Sequence, residues 1–363
     1  MSRLRLQNLN VDARSWHDRT WIRKPILQNI DVTMRSMRNI QRCFCTTTAT
    51  AASATTATAT ATATATTITA LPPSPLNHHK TGHEELRTGY THLFPGLSPT
   101  IDRTPAIDFR RTIRSEQHTT QTSGKVPGFV QANFVALPKE HAFDFAMFAL
   151  RNPKACPILA ITEPGNPCPS NIAPTADLRT DIPKYQVWHD GVLTEETTNI
   201  TNAWTPDMVG FLLGCSFSWE DTLKQAGHCP RHMEEQCNVP MYRTNVLNRK
   251  AGPFGGHLVV SMRPYKAHEI SNVASITECY PGAHGGPVHW GDPTALGISI
   301  TDPPHWGDAV SMSDKDDVPV FWACGVTPQT AIMEAKLPLV ITHAPGHMFV
   351  CDVKDHELYV EGS

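Results

Sequence analysis

Residues 318–347 read V-P-V-F-W-A-C-G-V-T-P-Q-T-A-I-M-E-A-K-L-P-L-V-I-T-H-A-P-G-H, and the order of signals in them decides the fold class. Val318–Ala323 is a short apolar run suited to a buried strand, and Cys324-Gly325 interrupts it. Thr327-Pro328 then offers a helix cap followed by a proline at the first helical position. Leu337–Thr342 is a second apolar run, ending on His343-Ala344-Pro345-Gly346-His347. A strand, a helix and a strand in such a short span indicate an α/β unit.

The same alternation extends towards the N-terminus. Pro157–Ile161 and Leu258–Met262 read as buried strands, and a helix is expected near Lys266–Thr277. Within Phe129–Leu150, Pro138 opens a helix on which Phe143, Met147 and Leu150 recur at i, i+4 and i+7. Lys184–Thr197 reads as a β-hairpin turning at Asp190-Gly191. Thr205-Pro206 is expected to start a helix through Phe211 and Leu213. Ser218 and Asp221 have the spacing of a capping box for the next helix, which places Cys215 and Ser216 between two helices. Residues 84–115 are expected to form short helices. The expected architecture is α/β: a mixed sheet with flanking helices and a second, smaller α+β lobe.

Composition sets the first 81 residues apart. Residues 46–67 are almost pure Thr/Ala alternation, too poor in apolar area to offset chain entropy, so 1–81 are expected to be a disordered leader. Near 34–45, Met34, Met37, Ile40 and Phe44 share one helical sector while Arg35, Arg38 and Arg42 fall on another. Basic, amphipathic and free of acidic residues, this segment resembles a mitochondrial presequence. A matrix location is therefore expected, with the cytoplasm as the alternative if the leader is an artefact of the gene model. Ten of the 31 Lys/Arg and three of the 34 Asp/Glu lie in residues 1–81, which leaves 82–363 with a net charge of −10. So acidic a body argues against nucleic acid as a partner. No apolar run reaches the roughly 18 residues needed to span a bilayer. Eight cysteines are scattered through 82–363 without a C-x-x-C pair, which favours reduced thiols over a disulfide framework.

Polar chemistry concentrates at a few places. Arg231–Asn245 (R-H-M-E-E-Q-C-N-V-P-M-Y-R-T-N) is too polar to be a simple apolar stripe, and Pro240 forbids a continuous helix. It reads as a helix end running into an ordered loop. Cys324, His343 with His347, and His289 with Asp292 lie at strand ends or in loops, where ligands gather in open α/β sheets. His284, His289 and Asp292 lack a diagnostic metal spacing, and His343 and His347 have Pro345 and Gly346 between them rather than the glutamate of a zinc helix. No metal and no cofactor is expected. Nucleophile-elbow, phosphate-loop and dinucleotide fingerprints are all missing from the sequence.

Several longer motifs carry a resemblance: G-C-S-F-S (214–218), N-V-P-M-Y-R-T-N (238–245), V-S-M-R-P (260–264), P-V-F-W-A-C-G-V-T-P-Q (319–329) and I-T-H-A-P-G-H-M (341–348). Together, over about residues 82–358, they resemble the D-glutamate cyclase family, whose bacterial members are catalogued as hydro-lyases. The resemblance implies an α/β fold of two intertwined lobes. For the animal mitochondrial members it implies conversion of D-glutamate to 5-oxo-D-proline and water. Those animal proteins carry a further C-terminal domain that this 363-residue sequence does not include.

Such a reaction needs a cation for the acidic amino acid, a base for its ammonium, a proton donor for the leaving oxygen and an oxyanion site. Arg243 and Arg263 are the candidate carboxylate grips. Tyr242, Asn245 and Ser216 are candidate substrate-binding residues beside them. Glu235 or His289 is the candidate base, and His343 the candidate donor. Amides at Gly214–Ser216 or after Cys324 would hold the oxyanion, and Cys324 or Cys215 would carry a thioester path. The expected partner is a small acidic amino acid, and a homo-oligomer is allowed. The alternatives are a binding protein that senses glutamate or 5-oxoproline, and a metal-assisted hydro-lyase on another small acid.

Overall fold

The computed structural model describes residues 97–312 and 315–361. The expectations for the presequence-like segment, the Thr/Ala repeat and the rest of 1–81 lie outside the described residues. Eleven strands and six α-helices follow one another: α1 (Thr104–Arg114), β1 (Phe129–Pro138), α2 (Lys139–Arg151), β2 (Ile158–Ile161), β3 (Tyr185–His189), β4 (Val192–Thr197), β5 (Met208–Gly214), α3 (Phe217–Gln225), α4 (Arg231–Glu234), β6 (Met241–Leu247), β7 (His257–Lys266), α5 (Ile270–Glu278), β8 (His289–Trp290), β9 (Asp317–Ala323), α6 (Val326–Ala335), β10 (Val340–His343) and β11 (Phe349–Lys354). A seven-stranded sheet runs β2-β5-β1-β10-β3-β4, with β11 also on β1, and a four-stranded sheet runs β6-β7-β9-β8. One apolar cluster joins both, from Phe134 and Leu212 of the large sheet to Tyr265 and Trp322 of the small one.

The α/β class holds, but neither sheet is mixed: every strand pairing among the described residues is antiparallel. The strand–helix–strand unit at 318–347 is present, yet β9 belongs to the small sheet and β10 to the large one. Helix α6 therefore carries the chain between sheets instead of crossing over within one, so alternation does not produce parallel strands here. The hairpin is as expected, with Asp190 and Gly191 both at positive φ (51° and 79°) in the turn between β3 and β4.

A duplicated plan, absent from the sequence reading, organises these sheets. β1 and β7 are each ten residues long and each leads into a helix. β5 pairs with β1 and β9 with β7, and the last residue of each shorter strand meets the fourth residue of its long partner: Gly214 faces Ala132, Ala323 faces Val260. A cysteine follows in both copies, Cys215 and Cys324, and a helix begins two residues later.

The region expected as a helix through Phe211 and Leu213 is thus strand β5, which corrects that reading. M-V-G-F-L-L-G is buried at every position and paired on both edges, by β1 and β2. A continuous apolar run of this length looks alike as buried strand or buried helix. Cys215 and Ser216 consequently sit between a strand and a helix, and Ser218 lies inside α3 rather than capping it. Helix α6 likewise begins before Thr327, whose hydroxyl instead donates to Val259 O (3.2 Å) and accepts from Val259 N (3.0 Å). On α2 the buried side is Ala142, Phe145, Ala146, Phe148 and Ala149, so the stripe read from Phe143 is rotated; Phe143 is exposed. Phe145 packs edge-on against Phe211 and Phe254, and these contacts outweigh a period shared by two faces.

Gly214 closes β5 where the chain at Pro281–Ala283 crosses: a Cβ there would stand 1.7 Å from Gly282 O. Gly214→Ala is expected to cost about 3 kcal/mol or more, since the obstacle is backbone that cannot swing aside. Urea denaturation midpoints of the two proteins check this.

Candidate active site

The two cysteine turns place the first set of functional groups. Each follows the end of a strand and precedes a helix, so the backbone amides of the new helix point back at the thiol. Burial pushes Cys215 up to about 12, against the opposing pull of the Phe217 amide. It pushes Cys324 up to about 11, against the Val326 amide. Both thiols are therefore protonated at neutral pH, and the Cys324 thiol lies close enough to oppose ionisation of Cys215. Asn133 of β1 ties the turns together. Its Nδ2 donates to Gly214 O (2.9 Å), and the Gly325 backbone comes so near that a Cβ there would stand 2.2 Å from the same nitrogen.

Arg263 is the most deeply buried charge beside these turns, 1% exposed. Its Nη1 donates to Ser261 Oγ (3.0 Å), its Nη2 to Ser216 Oγ (3.0 Å) and to the Glu220 carboxylate. The guanidinium lies 4.6 Å from the Trp219 ring centroid and 5.4 Å from that of Trp322. His232 Nε2 reaches the same Glu220 oxygen at 3.2 Å. Burial pulls Glu220 up, but Arg263 and His232 outweigh it and hold the carboxyl below its ordinary value. Arg263 Nε and His232 Nδ1 are buried and have no hydrogen-bond partner among the described residues.

His343 completes the cluster from the other sheet. β10 pairs with Val135 and Ala136 of β1, while β11 pairs with residues up to Ala132. Between those pairings the His343 ring takes over, its Nδ1 3.1 Å from the Phe134 amide. Burial pushes this imidazole down to about 4, so it is neutral, and its Nδ1 lies within bonding distance of both the amide and the carbonyl (3.3 Å) of Phe134. Gln329, in the first turns of α6, stands 3.4 Å from the ring nitrogens. The cluster thus offers a buried guanidinium, a hydroxyl, two protonated thiols, a neutral imidazole and inward amides. That set can bind an anion and move protons through hydrogen bonds.

The best-matching family model, D-glutamate cyclase, covers residues 209–352. A protein of Geobacillus kaustophilus named "putative hydro-lyase" is 51% identical over 252 residues, which is 69% of this chain and 95% of that protein. One of the same name from Rubrobacter xylanophilus is 52% identical over 255 residues, 70% of this chain and 98% of its own. Another, from Pseudomonas syringae, is 49% identical over 258 residues, covering 70% and 97%. The chain belongs to the D-glutamate cyclase family. Of the cluster just described, every member except Asn133 lies within the residues matched by the cyclase model.

Set in this cyclase fold, the residues nominated from sequence divide into two groups. Ser216, Arg263 and Cys324 come together, and His343 adjoins their side of the fold through Gln329 of α6. Tyr242, Val260, Met262 and Phe321 pack with Leu296 and Ile298 on one face of the small sheet. Strand alternation puts Val259, Ser261 and Arg263 on the opposite face. Tyr242 is therefore core on the far side of the sheet. His289 stacks on Phe321 (centroids 5.9 Å apart) and bonds Asp292 O through Nε2 (2.8 Å), so it too belongs to that far side. Glu235 is exposed and accepts from the Ser311 amide and hydroxyl, fixing a loop. Asn245 is exposed and packs on Gly297. Arg243 is exposed on β6, two residues along from Met241 on the same face as Val259, at the rim of the cluster's side. His284, a metal candidate in sequence, is buried with Nδ1 2.6 Å from Lys154 O. Among the described residues no three His, Cys, Asp or Glu side chains gather at metal-binding distances.

Glu220, His232, Asn133, Ser261 and Gln329 were missed. Glu220 left one trace: it falls three residues after Phe217 and three before Leu223, where an amphipathic helix would carry an apolar side chain. Arg263→Met is expected to cost about 3–5 kcal/mol, because it leaves the buried Glu220 carboxylate with His232 as its one remaining described partner. Adding Glu220→Gln should recover part of that loss. Because the folded carboxyl of Glu220 is depressed, its contribution is present above the unfolded pKa and is lost as pH falls through the folded one. Denaturation at neutral and acidic pH checks both: the gap between wild type and Arg263→Met should narrow in acid.

Proposed function

We propose that the protein dehydrates and cyclises D-glutamate to 5-oxo-D-proline and water, on the strength of one feature. The cluster around Arg263 is buried and polar, and burial keeps His343 neutral and both thiols protonated at neutral pH. Lactam closure suits such a site. An ammonium and a carboxylate become an amide and a water molecule, so the net reaction takes no proton from the protein and gives none to it. What the protein must do is hold the amine and the γ-carboxyl in attack geometry, desolvate the ammonium so that it yields its proton more readily, and stabilise the oxyanion.

The remaining residues support these roles. Amides beside Cys215 and Cys324 stand ready for the developing oxyanion, each worth roughly 3–4 kcal/mol in comparable sites. The neutral His343 serves as a hydrogen-bonding group rather than a source of imidazolium. Arg243 at the rim grips the α-carboxylate through its planar fork. The thiols stay protonated and line the pocket, and no thioester step is required.

Incubation of the purified protein with D-glutamate, followed by chiral chromatography, should yield 5-oxo-D-proline; absence of product from D- and L-glutamate alike would defeat this reading. Arg243→Ala should lose activity at ordinary substrate concentrations with an unchanged melting temperature. Because His343 is pushed down to about 4 and the thiols up to about 11 and about 12, kcat should be flat from about pH 7 to about pH 9. A steep limb inside that window, measured by initial rates and beyond the one set by the substrate's own amine, would show that a titrating side chain takes part.

A further inference from the structure

Resting on the cyclase reading, we infer that Ser216 is the catalytic group that carries protons from the substrate nitrogen to the departing oxygen. Ser216 occupies the N-cap position of α3, where a serine hydroxyl ordinarily bonds the first helical amides. Here it makes no such bond, and its φ and ψ (−59°, −21°) are helical instead of extended. The hydroxyl has been turned to other use: Oγ accepts from Arg263 Nη2 at 3.0 Å, 6% exposed, beside the two cysteine turns.

A hydroxyl has one proton to give and two lone pairs. Arg263 occupies one lone pair, and the proton of Ser216 finds no acceptor among the described residues. One acceptor site and one donor site are left, which is what a proton relay needs. Arg263 cannot swing away, since Glu220, Ser261, Trp219 and Trp322 fix it, so the open lone pair and the O–H are held towards one side. The buried Arg263 Nε, without a partner among the described residues, leaves further donor capacity beside the hydroxyl.

The step balances. The nitrogen attacks the γ-carbon, and the N–C bond forms as one C–O bond finally breaks. The ammonium begins with three protons and the lactam nitrogen keeps one, so two must reach the oxygen that leaves as water. Ser216 accepts a proton from nitrogen through its open lone pair and gives its own to that oxygen. Done twice, this leaves the serine unchanged. Arg263 is a positioning residue for the hydroxyl, and Glu220, held by His232 at 3.2 Å, positions Arg263.

The test uses the full chain with D-glutamate. Ser216→Ala should lower kcat by about 10²–10⁴-fold and move KM by less than about threefold. Its melting temperature should fall only modestly, since Arg263 Nη2 loses the Ser216 acceptor but keeps Glu220, and its affinity for 5-oxo-D-proline should stay within about threefold of wild type. Ser216→Thr, which keeps the hydroxyl, should recover much of the rate. In mixtures of light and heavy water the wild-type rate should bow below a straight line, as expected for two protons in flight. Turnover by Ser216→Ala within about threefold of wild type, or a straight line in the water mixtures, would overturn the relay while leaving the cyclase reading intact. Wild-type protein that forms no 5-oxo-D-proline would defeat the cyclase reading and the relay with it.

Discussion

A guanidinium buried to 1% exposure is costly to desolvate, and the structure around Arg263 is shaped by that cost. The charge is balanced by Glu220, bonded by Ser216 and Ser261, and faced by two indole rings. These partners come from both copies of the repeated plan. Ser216, Trp219 and Glu220 follow β5 in the first, while Ser261, Arg263 and Trp322 lie on β7 and β9 of the second. The ion pair thus joins the copies at the point where both cysteine turns meet. An apolar pair of similar volume would serve stability as well or better, so a stability role alone does not account for it.

The duplicated plan accounts for where the polar groups collect. A strand that ends on a small residue, then a cysteine, then a helix delivers backbone amides and a thiol to one point; doing so twice brings two such points together across Asn133. The order β9-α6-β10 then returns the chain to the large sheet, so that His343 meets Gln329 of α6 and the Phe134 amide of β1. Fold and site share these contacts, which is why glycine is needed at Gly214, where the Gly282 carbonyl leaves no room for a side chain.

Much of this was legible in the sequence, and the failures have physical causes. The hairpin, β2, β7, β9 and the helix after Cys324 follow from turn chemistry and apolar runs that admit one reading. β5 does not, because M-V-G-F-L-L-G carries no period and Thr205-Pro206 imitates a helix start. Which strands pair, and hence that both sheets are antiparallel, depends on contacts far apart in sequence. The same limit governs the site. Ser216, Cys324 and His343 stand out in sequence as polar groups at or just past strand ends, and Arg263 as a charge within an apolar strand. Glu235, Tyr242, Asn245 and His289 lay in equally polar stretches, but strand alternation and sheet edges send them elsewhere, and no local signal tells one side of β7 from the other.

On the cyclase reading, the two cysteine turns, joined by Arg263 and Ser216, bind the lactam as one site. Hydrogen exchange followed by mass spectrometry, with and without 5-oxo-D-proline, tests it directly. Ligand should slow exchange in peptides spanning 214–220 and 323–330 and leave those around Glu235 and His289 unchanged. Protection confined to 235–245 and 284–296, with none at the cysteine turns, would contradict it.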